Sequence, residues 1–575
     1  MALSSLLFIS VNVSAQTSAQ DRDPEAGTGY QQKQALKGKK YMISVANPYA
    51  GWVGKRILKQ GGSAVDAAIA MQAVLTLVEP QSSGIGGGGF MLYWDNKAKK
   101  LTSFDGRETA PSKANAFLFI DKLGKVASWR DAVQGGRAVG VPGVLKALEM
   151  AHKQFGKLEW ANLFYDAASL AEKGFVVSPR LAELLAKEIH PGLKKLAPAN
   201  RYFYPYGQPL QAGDKVINKR LAESLLGIAK EGTDFFYKGP LSKDIVKAVQ
   251  GSEVNPGLLS LEDLANYKAI ERPPACGNYK QHQICSMGPP SSGGLSVLQI
   301  LTMLEDKGLE KMAPNSLQAL HLFTQASRLA YADRDTYMAD TDFTHLPFGA
   351  LINPSYLQRR AEKIDANKDM GRAKAGQPYS RTLLSIDNSY EIPNTSHFSI
   401  VDQEGNAVSM TTTIEMGFGS GVMVGGFLLN NEMTDFASQP QIGDQWVLNR
   451  IEPGKRPRSS MAPTMVFDQK GELSLLIGSP GGSRIINYVA QSLIAVLDWG
   501  LDVQEAINLP RVTNRNSSTD LEKGTNLERL EPLLEKMGHK VVVRDLNSGL
   551  HGIQIINGEL IGGADPRREG VVVTE

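Results

Sequence analysis

The sequence predicts a mixed fold, either α+β or a layered α/β sandwich, because helical and strand-like stretches occur in comparable measure. Residues 140 to 340 are mostly helical in pattern, as in GVLKALEMAHKQFG and LQALHLFTQASRLAYADRD. From residue 397 onward strands dominate, as in HFSIVD, NAVSMTTTI and LSLLIG, although RIINYVAQSLIAVLDWG has the spacing of a helix. The chain of 575 residues would by length alone divide into about three to five domains.

Composition excludes several classes of function. The chain has 62 basic and 59 acidic residues and a net charge of +3, and no stripe of Lys and Arg occurs in it. This balance gives no electrostatic footprint for nucleic acid. Hydrophobic residues make up 42% and charged residues 21%, as is typical of a soluble globular protein with a large core. Beyond the N-terminus no stretch approaches the ~18 apolar residues that a membrane span needs.

The first residues, MALSSLLFISVNVSAQTSAQ, are apolar and then small and polar. Residues 6 to 13 could form the core of a signal peptide, with Val13-Ser14-Ala15 as its cleavage site, although the usual basic start is missing. We therefore predict a signal peptide or flexible N-terminus at residues 1–24 and a periplasmic or secreted protein. A disordered N-terminus is the alternative.

Two cysteines, Cys276 and Cys285, flank GNYKQHQ, which could include a turn. A local cross-strand disulfide is therefore possible in an oxidising compartment. Two thiols without a nearby Cys/His pair do not make a zinc site, so no metal is predicted.

A glycine-rich loop follows the first strongly predicted helix. That helix begins after Ser63, a plausible N-cap, and ends at Pro80. The loop SSGIGGGGF contains G-x-G-x-x-G at Gly84, Gly86 and Gly89. A dinucleotide-binding loop must follow a strand and open a helix, and here a helix precedes the loop and a strand follows it. The loop is instead predicted to allow tight backbone packing or close approach of a substrate.

A second glycine turn lies in LLIGSPGGSRIINYVA, where a strand ends, Gly481 and Gly482 turn, and a helix begins near Ser483. Backbone N–H groups at such a turn favour negative charge, either a phosphate or a developing oxyanion. No Walker lysine is present, which makes nucleotide binding the weaker option. A purely structural turn remains an alternative.

The stretch EIPNTSHFSIVD begins a strand with hydroxyl residues directly after a polar segment rich in helix breakers, residues 366 to 394. The turn DQEGN connects this strand to NAVSMTTTI, and a regular register with Val401 opposite Ala407 puts Thr395 opposite Thr413. Alternation then gives the hairpin one face of hydroxyls and histidine, and one apolar face. The hydroxyl face holds Thr395, His397, Ser399, Thr411 and Thr413, and the apolar face holds Phe398, Ile400, Met410 and Ile414.

A hydroxyl residue at a potential cleavage point suggests an N-terminal nucleophile, whose freed α-amine could serve as the base. On pattern alone an exposed Thr-rich hairpin is the simpler interpretation, because threonine favours strands. His397 points to the face opposite Ser396, so we expect it to be structural rather than part of a Ser–His pair.

Several ordered motifs resemble the γ-glutamyltranspeptidases (glutathione hydrolases) of bacterial type, from about residue 41 to the C-terminus. They are SGIGGGGFML, FDGRETAP, NTSHFSIVDQEGNAVSMTTTIEMGFGSG, LLNNEMTDF, KRPRSSMAPT, GSPGGSRI and ADPRREG. The resemblance implies an N-terminal-nucleophile hydrolase fold, a four-layer αββα sandwich in one intertwined domain, which replaces the domain number suggested by length. It also implies cleavage of the Asn394–Thr395 bond into a large subunit of residues 25–394 and a small subunit of residues 395–575, with no cofactor.

The same resemblance implies roles for site residues. Thr395 would be the nucleophile, Thr413 would orient it, and Gly481 and Gly482 would supply oxyanion N–H groups. Because a γ-glutamyl donor ends in a free amino acid, its pocket needs both signs of charge. The implied binding residues are Arg107, Ser459 and Ser460 for the α-carboxylate, and Asp435, Glu432 and Glu415 for the α-ammonium.

The chain departs from the family pattern at three positions. Ser396 follows the nucleophile where Thr is common, Glu415 stands where many members carry Asn, and Arg458 stands where Leu is frequent. The segment ASQPQIGDQWVLNRIEPG, residues 437 to 454, occupies the place of a lid loop found in some members, and Trp446 could cover the pocket.

Three functions compete at this point. The leading hypothesis is γ-glutamyl hydrolysis and transfer from glutathione or glutamine to water, amino acids or peptides, by a heterodimer of the two subunits. The second is a glutaryl amide acylase of the cephalosporin type, whose substrate lacks the α-ammonium and would give the three acids no purpose. The third is an uncleaved, non-enzymatic relative, which would be expected to lose the threonine or the Gly–Gly turn.

Overall fold

The computed structural model describes residues 29–344, 346–378, 384–391 and 393–575. The predicted signal segment, residues 1–24, lies outside the described residues. No helix within the described ranges is long and apolar enough to cross a membrane.

The secondary structure alternates between helices and strands along the whole described chain. In chain order the strands are β1 Leu36–Gly38, β2 Met42–Val45, β3 Gly88–Asp95, β4 Lys100–Asp105, β5 Phe175–Val176, β6 Lys215–Val216, β7 Ile270–Arg272, β8 Ala275–Tyr279, β9 His282–Ser286, β10 Ser396–Val401, β11 Ala407–Thr413, β12 Met423–Val424, β13 Phe427–Leu428, β14 Gln441–Ile442, β15 Gln445–Trp446, β16 Thr464–Phe467, β17 Leu473–Gly478, β18 Val512–Asn514, β19 Thr519–Glu522, β20 Val541–Arg544, β21 His551–Ile556, β22 Glu559–Ala564 and β23 Val571–Thr574. The helices are α1 Pro48–Lys59, α2 Ala64–Val78, α3 Trp129–Ala132, α4 Val144–Phe155, α5 Tyr165–Lys173, α6 Pro179–Ala186, α7 Ala197–Phe203, α8 Lys219–Glu231, α9 Asp234–Tyr237, α10 Pro240–Gln250, α11 Leu261–Asn266, α12 Gly293–Leu304, α13 Leu317–Tyr337, α14 Pro354–Ala361, α15 Ile485–Leu497, α16 Val503–Asn508 and α17 Glu531–Lys536.

Two seven-stranded antiparallel sheets form the centre of the fold. The first has the order β1-β22-β21-β17-β16-β9-β8 and the second the order β23-β2-β10-β11-β3-β4-β7. The sheets face each other through contacts of β10 and β11 with β17 and β21. Helices α1, α2 and α4 pack on the outside of the second sheet, and α12, α15 and α16 pack on the outside of the first. The result is the predicted α+β fold with four layers, αββα. Both sheets contain strands from before and from after residue 394.

Helix α2 supports the central strands of the second sheet. Ser63 caps it with a reciprocal pair: the Asp66 N–H donates to Ser63 Oγ (3.2 Å), and the Ser63 N–H donates to Asp66 Oδ2 (2.8 Å). All 15 residues of this helix are buried, so it packs as a core element rather than as an amphipathic surface helix. Its start after Ser63 and its end before Pro80 agree with the sequence prediction.

Both faces of the β10–β11 hairpin are buried, so the interpretation of an exposed Thr-rich hairpin is wrong. The apolar face, with Phe398 and Met410, belongs to the same core as α2. The hydroxyl face lies against the first sheet, where Ser399 Oγ donates to the His551 carbonyl (3.3 Å). Strand patterning alone does not reveal this, because a polar face is normally the solvent face of a sheet.

Cys276 and Cys285 form a disulfide with an S–S distance of 2.07 Å. They are opposite each other in the antiparallel pair of β8 and β9. The disulfide that the sequence left open is therefore formed, and it links adjacent strands in the first sheet.

The glycine-rich loop before β3 packs tightly against other backbone, as predicted. A Cβ atom on Gly86 would lie 2.1 Å from the carbonyl oxygen of Leu428, and one on Gly87 would lie 2.0 Å from that of Thr413. Such distances are far inside van der Waals contact, so only glycine fits at these two positions. The loop thereby fixes the backbone of Thr413.

We expect Gly87→Ala to displace the Thr413 carbonyl, to destabilise the fold by about 1–3 kcal/mol as overpacking does, and to slow any cleavage that depends on Thr413. Urea denaturation and the fraction of cleaved chain on a denaturing gel measure the two effects. Gly349→Ala is the matched control, because a Cβ there meets nothing within 4 Å. Wild-type stability in Gly87→Ala would show that the loop tolerates a side chain.

Candidate active site

The register of the β10–β11 hairpin brings two threonines together. Val401 pairs with Ala407 and Ser396 with Thr412, which agrees with the register predicted from the sequence. Thr395 directly precedes β10, and Thr413 ends β11. Their Oγ atoms are 3.5 Å apart. Both side chains are buried.

The carbonyl group of Asn394 is the focus of the hydrogen bonds around this pair. Thr413 Oγ donates to the Asn394 carbonyl oxygen (2.8 Å), and the hydroxyl of Thr395 donates to the same oxygen. The Glu415 N–H in turn donates to Thr413 Oγ (2.8 Å), which orients that hydroxyl towards Asn394. The Thr395 hydroxyl therefore lies beside the Asn394 carbonyl, and the Thr413 hydroxyl polarises that carbonyl.

The turn of Gly481 and Gly482 lies next to the same peptide segment. It follows the end of β17 and leads through a short helical turn, Gly482–Arg484, into α15. The φ angles of Gly481 and Gly482, 132° and 56°, are ones that L side chains rarely adopt. A Cβ on Gly482 would lie 3.1 Å from Cα of Pro393. N–H groups at such a turn can stabilise an oxyanion.

One cavity collects nearly all of the residues that the sequence assigned to the site. Its volume is about 30 Å³, so the residues that line it leave little free space in the continuous chain. Its lining includes Arg107, Arg334, Glu391, Asn394, Thr395, Thr413, Glu415, Glu432, Asp435, Arg458, Ser459, Ser460, Met461, Gly482, Ser483 and Ile485. Gly481, the one predicted residue outside this lining, is the neighbour of Gly482.

Arg107 forms a buried charge cluster with the acids of the site. Its Nη2 donates to Asp435 Oδ2 (2.6 Å) and to the Arg458 carbonyl (2.9 Å), its Nε donates to the Pro457 carbonyl (3.2 Å), and its Nη1 is paired with Glu432. The residue predicted to bind the α-carboxylate and the residues predicted to bind the α-ammonium are thus in contact with each other. A bound zwitterion would place its carboxylate beside Arg107 and its ammonium beside the acids.

Glu108 is a third acid of this cluster, which the sequence reasoning missed. Its Oε2 lies 3.8 Å from Arg107 Nη1, and its side chain is fully buried. Burial raises the pKa of Glu108 well above its ordinary value, and the charge of Glu432 raises it further. Burial likewise raises the pKa of Glu432 to about 8, against the opposing effect of Arg107. One arginine cannot neutralise three buried carboxylates, so the cluster retains a proton at neutral pH.

Glu415 and the two serines are held by their own contacts. Glu415 Oε2 accepts from Asn431 Nδ2 (2.5 Å). Ser460 Oγ accepts from Arg334 Nη2 (2.6 Å), and the Ser459 carbonyl accepts from the hydroxyl of Ser292 (2.6 Å). The serine pair is therefore fixed to Ser292, the N-cap residue of α12, and to α13.

A second charge cluster lies at the same cavity, and sequence reasoning identified only Arg458 in it. Glu391 Oε1 is 2.6 Å from Arg334 Nη2 and 2.6 Å from Arg458 Nη2. Arg458 also pairs with Asp387 (2.5 Å), and Arg334 pairs with Asp335 (2.8 Å). The position of Arg458 beside Ser459 is the one signal in the sequence that could have revealed this cluster.

The segment of residues 437 to 454 does not cover the cavity in the continuous chain. Trp446 is 43% exposed, stacks with Arg450, and is not among the cavity-lining residues given above. The segment packs instead on the residues that precede the predicted cleavage site: Asn388 Nδ2 donates to the Gln439 carbonyl (3.0 Å).

His397 is structural, as predicted. Its ring contacts the hydroxyls of Thr411 (2.9 Å) and Ser399 (3.2 Å), and it is fully buried between the sheets. Burial and the neighbouring His551 hold the pKa of His397 well below its ordinary value, so it is neutral at physiological pH.

Comparison with known proteins gives consistent matches over nearly the whole chain. Residues 50–574 match the family described as Gamma-glutamyltranspeptidase. A glutathione hydrolase proenzyme of Escherichia coli strain K12 is 38% identical, covering 92% of this chain and 91% of the relative. One of Bacillus subtilis strain 168 is also 38% identical, covering 100% and 97%. Among solved structures, a cephalosporin acylase from Bacillus halodurans aligns with a TM-score of 0.83 at 25% identity, covering 96% of this chain and 99% of that chain.

The raised pKa of Glu432 predicts a pH-dependent stability. Between its ordinary value of 4.5 and about 8, the folded chain keeps a proton that the unfolded chain releases. This contribution is therefore fully present below pH 4.5 and is lost as the pH rises to about 8. We expect Glu432→Gln to remove a slope of up to about 1.4 kcal/mol per pH unit from the free energy of unfolding, measured by urea denaturation at pH 5, 6.5 and 8.

Glu79→Gln is the matched control for this measurement. Burial also raises the pKa of Glu79 to about 8, and Glu79 does not line the cavity. Its substitution should change the slope in the same direction and leave the KM of a donor substrate unaltered. Equal slopes in wild type and Glu432→Gln would contradict the assignment of a retained proton.

Proposed function

Because this chain belongs to the γ-glutamyltranspeptidase family, we propose that Thr395 cuts the Asn394–Thr395 bond and then carries γ-glutamyl groups. The protein is an enzyme that hydrolyses and transfers γ-glutamyl amides. The observation that carries the proposal is the pair of hydroxyls, from Thr395 and Thr413, on the Asn394 carbonyl oxygen.

Autocleavage proceeds by transfer of the acyl group from nitrogen to oxygen. Thr395 Oγ attacks the Asn394 carbonyl carbon, and its proton passes to the departing nitrogen of Thr395. The C–N bond breaks, leaving an ester between Asn394 and Thr395 Oγ and a free α-amine. Water then hydrolyses the ester to the Asn394 carboxylate and the Thr395 hydroxyl. Thr413 stabilises the oxyanion through the hydrogen bond that it already makes.

The freed threonine uses the same chemistry on a donor. Its α-amine, with a reference pKa of about 7.7–8.0, takes the hydroxyl proton as Oγ attacks the γ-carbonyl, and the proton is passed to the leaving amine. The γ-glutamyl ester on Thr395 is then attacked by water or by the amine of an acceptor. Thr413 and the N–H groups of Gly481 and Gly482 stabilise the oxyanions.

The charge cluster accounts for recognition of the donor. Arg107 binds the α-carboxylate together with Ser459 and Ser460, while Asp435 and Glu432, with Glu415, bind the α-ammonium. The contact of Arg107 with both acids, together with the retained proton, reduces the negative charge of the site before a donor binds. We assign glutathione and glutamine as donors, and amino acids or short peptides as acceptors.

The alternative is a glutaryl amide acylase. The likeness to the cephalosporin acylase fold supports it, but at a lower identity than that of the glutathione hydrolase proenzymes. A glutaryl group has no α-ammonium, so Asp435 and Glu432 would gain no cationic partner from the substrate. The site therefore favours the γ-glutamyl donor.

We further propose that residues 25–394 and 395–575 remain together as a heterodimer in the periplasm or outside the cell. The interleaved strands of the two sheets support the heterodimer. The apolar N-terminal sequence and the Cys276–Cys285 disulfide support an oxidising location.

Thr395→Ala should remain a single chain, because no hydroxyl is left to attack the Asn394 carbonyl. Ser396→Ala is the matched control: it removes the neighbouring hydroxyl, which instead contacts Ser83 (3.0 Å), and should still be cleaved. Mass spectrometry of the purified proteins identifies the fragments. A fragment beginning at residue 395 in Thr395→Ala would remove Thr395 from the mechanism.

A paired assay separates the two enzyme hypotheses. With 4-nitroaniline as leaving group on both donors, we expect kcat/KM for the γ-glutamyl amide to exceed that for the glutaryl amide at least ~100-fold, because a donor without an ammonium leaves the buried acids to share Arg107 alone. Asp435→Asn should reduce this difference by lowering kcat/KM for the γ-glutamyl amide. Equal efficiencies in wild type would favour the acylase, and a gap unchanged in Asp435→Asn would overturn the role of that residue.

A further inference from the structure

The second charge cluster of the cavity holds a carboxylate that belongs to the protein itself. Glu391 lies four positions before Thr395, and its carboxylate bridges Arg334 and Arg458 at 2.6 Å to each. Burial alone would raise the pKa of Glu391, but the two arginines outweigh it and hold that pKa well below its ordinary range. The cavity therefore contains a place built for a desolvated carboxylate.

The two guanidinium groups are held by contacts that do not involve Glu391. Arg334 Nε donates to Ser292 Oγ (2.9 Å), its Nη2 donates to Ser460 Oγ (2.6 Å), and its Nη1 pairs with Asp335. Arg458 Nη1 donates to the Arg334 carbonyl (3.3 Å). These contacts would keep both groups in position if the carboxylate between them left.

The backbone of Glu391 is strained while it fills this place. Its φ angle is 46°, in the left-handed region that costs a non-glycine residue energy. Glu391 lies three positions before Asn394, which becomes a chain end when the Asn394–Thr395 bond is cut. Cutting the chain there removes the covalent restraint that holds the strained residue in the cavity.

We propose that Arg334 and Arg458 form a carboxylate-binding site, which Glu391 fills in the continuous chain and a substrate carboxylate fills after cleavage. The proposal rests on the cleavage at Asn394–Thr395 proposed above. The leaving group supplies this carboxylate, as at the C-terminus of a γ-glutamyl peptide, because Arg107, Ser459 and Ser460 take the α-carboxylate of the donor.

Three anilide donors test this assignment. γ-Glutamyl-4-nitroanilide carries only the α-carboxylate, γ-glutamyl-3-carboxy-4-nitroanilide adds one on the leaving group, and 4-aminobutanoyl-4-nitroanilide has neither. Arg458→Leu, purified in its cleaved form, should raise KM at least ~10-fold for a donor whose carboxylate uses the site, the loss expected for a charge-assisted hydrogen bond. It should change the KM of the donor without a carboxylate by no more than about two-fold.

The pattern of KM values identifies the carboxylate. A rise for the 3-carboxy donor alone assigns the site to the leaving group, whereas a rise for both γ-glutamyl donors by the same factor would overturn that assignment. An unchanged KM for all three donors, or an equal rise for all three, would overturn the proposal. Arg456→Leu is the matched control, because Arg456 is equally buried two residues away but pairs with Asp105 outside the cavity, and its KM values should keep the wild-type ratios.

Cleavage is scored separately by mass spectrometry. An uncleaved wild type would contradict the proposed function, whereas a cleaved wild type with unaltered KM ratios in Arg458→Leu would contradict only the carboxylate site. If Arg458→Leu does not fold, Arg458→Lys keeps the charge and loses the planar fork. It should give a smaller KM rise, restricted to the same donors, and wild-type KM values for every donor would again overturn the site.

Discussion

The antiparallel pairing of β10 with β11 is the interaction on which the site depends. It places Thr395 opposite Thr413 and sends the apolar residues of both strands towards α2. A shift of one residue would turn the hydroxyls into the apolar core, so burial on both faces fixes the register strongly. The glycine loop before β3 adds a second restraint, because Gly87 leaves room only for the Thr413 carbonyl. The geometry of the nucleophile thus comes from packing rather than from the catalytic residues themselves.

Charge in the cavity is balanced between parts of the chain that are far apart in sequence. Arg107 comes from the loop after β4, and its partners Glu432 and Asp435 come from the segment after β13. On the other side of the cavity, Arg334 at the end of α13 and Arg458 share Glu391. Buried ions of this kind are costly unless they are paired. Each cluster therefore forms only when segments distant in sequence have come together.

Local features could be predicted from the sequence and distant ones could not. The hairpin register, the Ser63 cap, the glycine loop and the Cys276–Cys285 pair follow from alternation, turn residues and spacing within short stretches. The hydroxyl face of the hairpin is buried by the first sheet, which alternation within the hairpin does not reveal. Alternation alone therefore predicted that this face is exposed to solvent. Glu108 and Glu391 gave no signal, because a lone acid is usually a surface charge and their arginine partners are identified only in three dimensions. The family resemblance identified site residues that lie close together in the structure. The periodicity of the sequence alone does not predict that they are close.

The sharing of both sheets between residues before and after position 394 has a consequence for the folding of the protein. While the chain is continuous, its strands assemble in a unimolecular reaction. The entropy lost in closing the connecting segment grows only slowly with the length of that segment. Once the bond before Thr395 is cut, the same strands belong to two molecules, and regaining the fold after denaturation becomes a concentration-dependent association. Interleaved strands cannot separate without opening both sheets, so a two-subunit form cut at this bond would be preserved by its barrier to unfolding rather than by reversible refolding. The lifetime of the two-subunit form would then be set by its rate of unfolding.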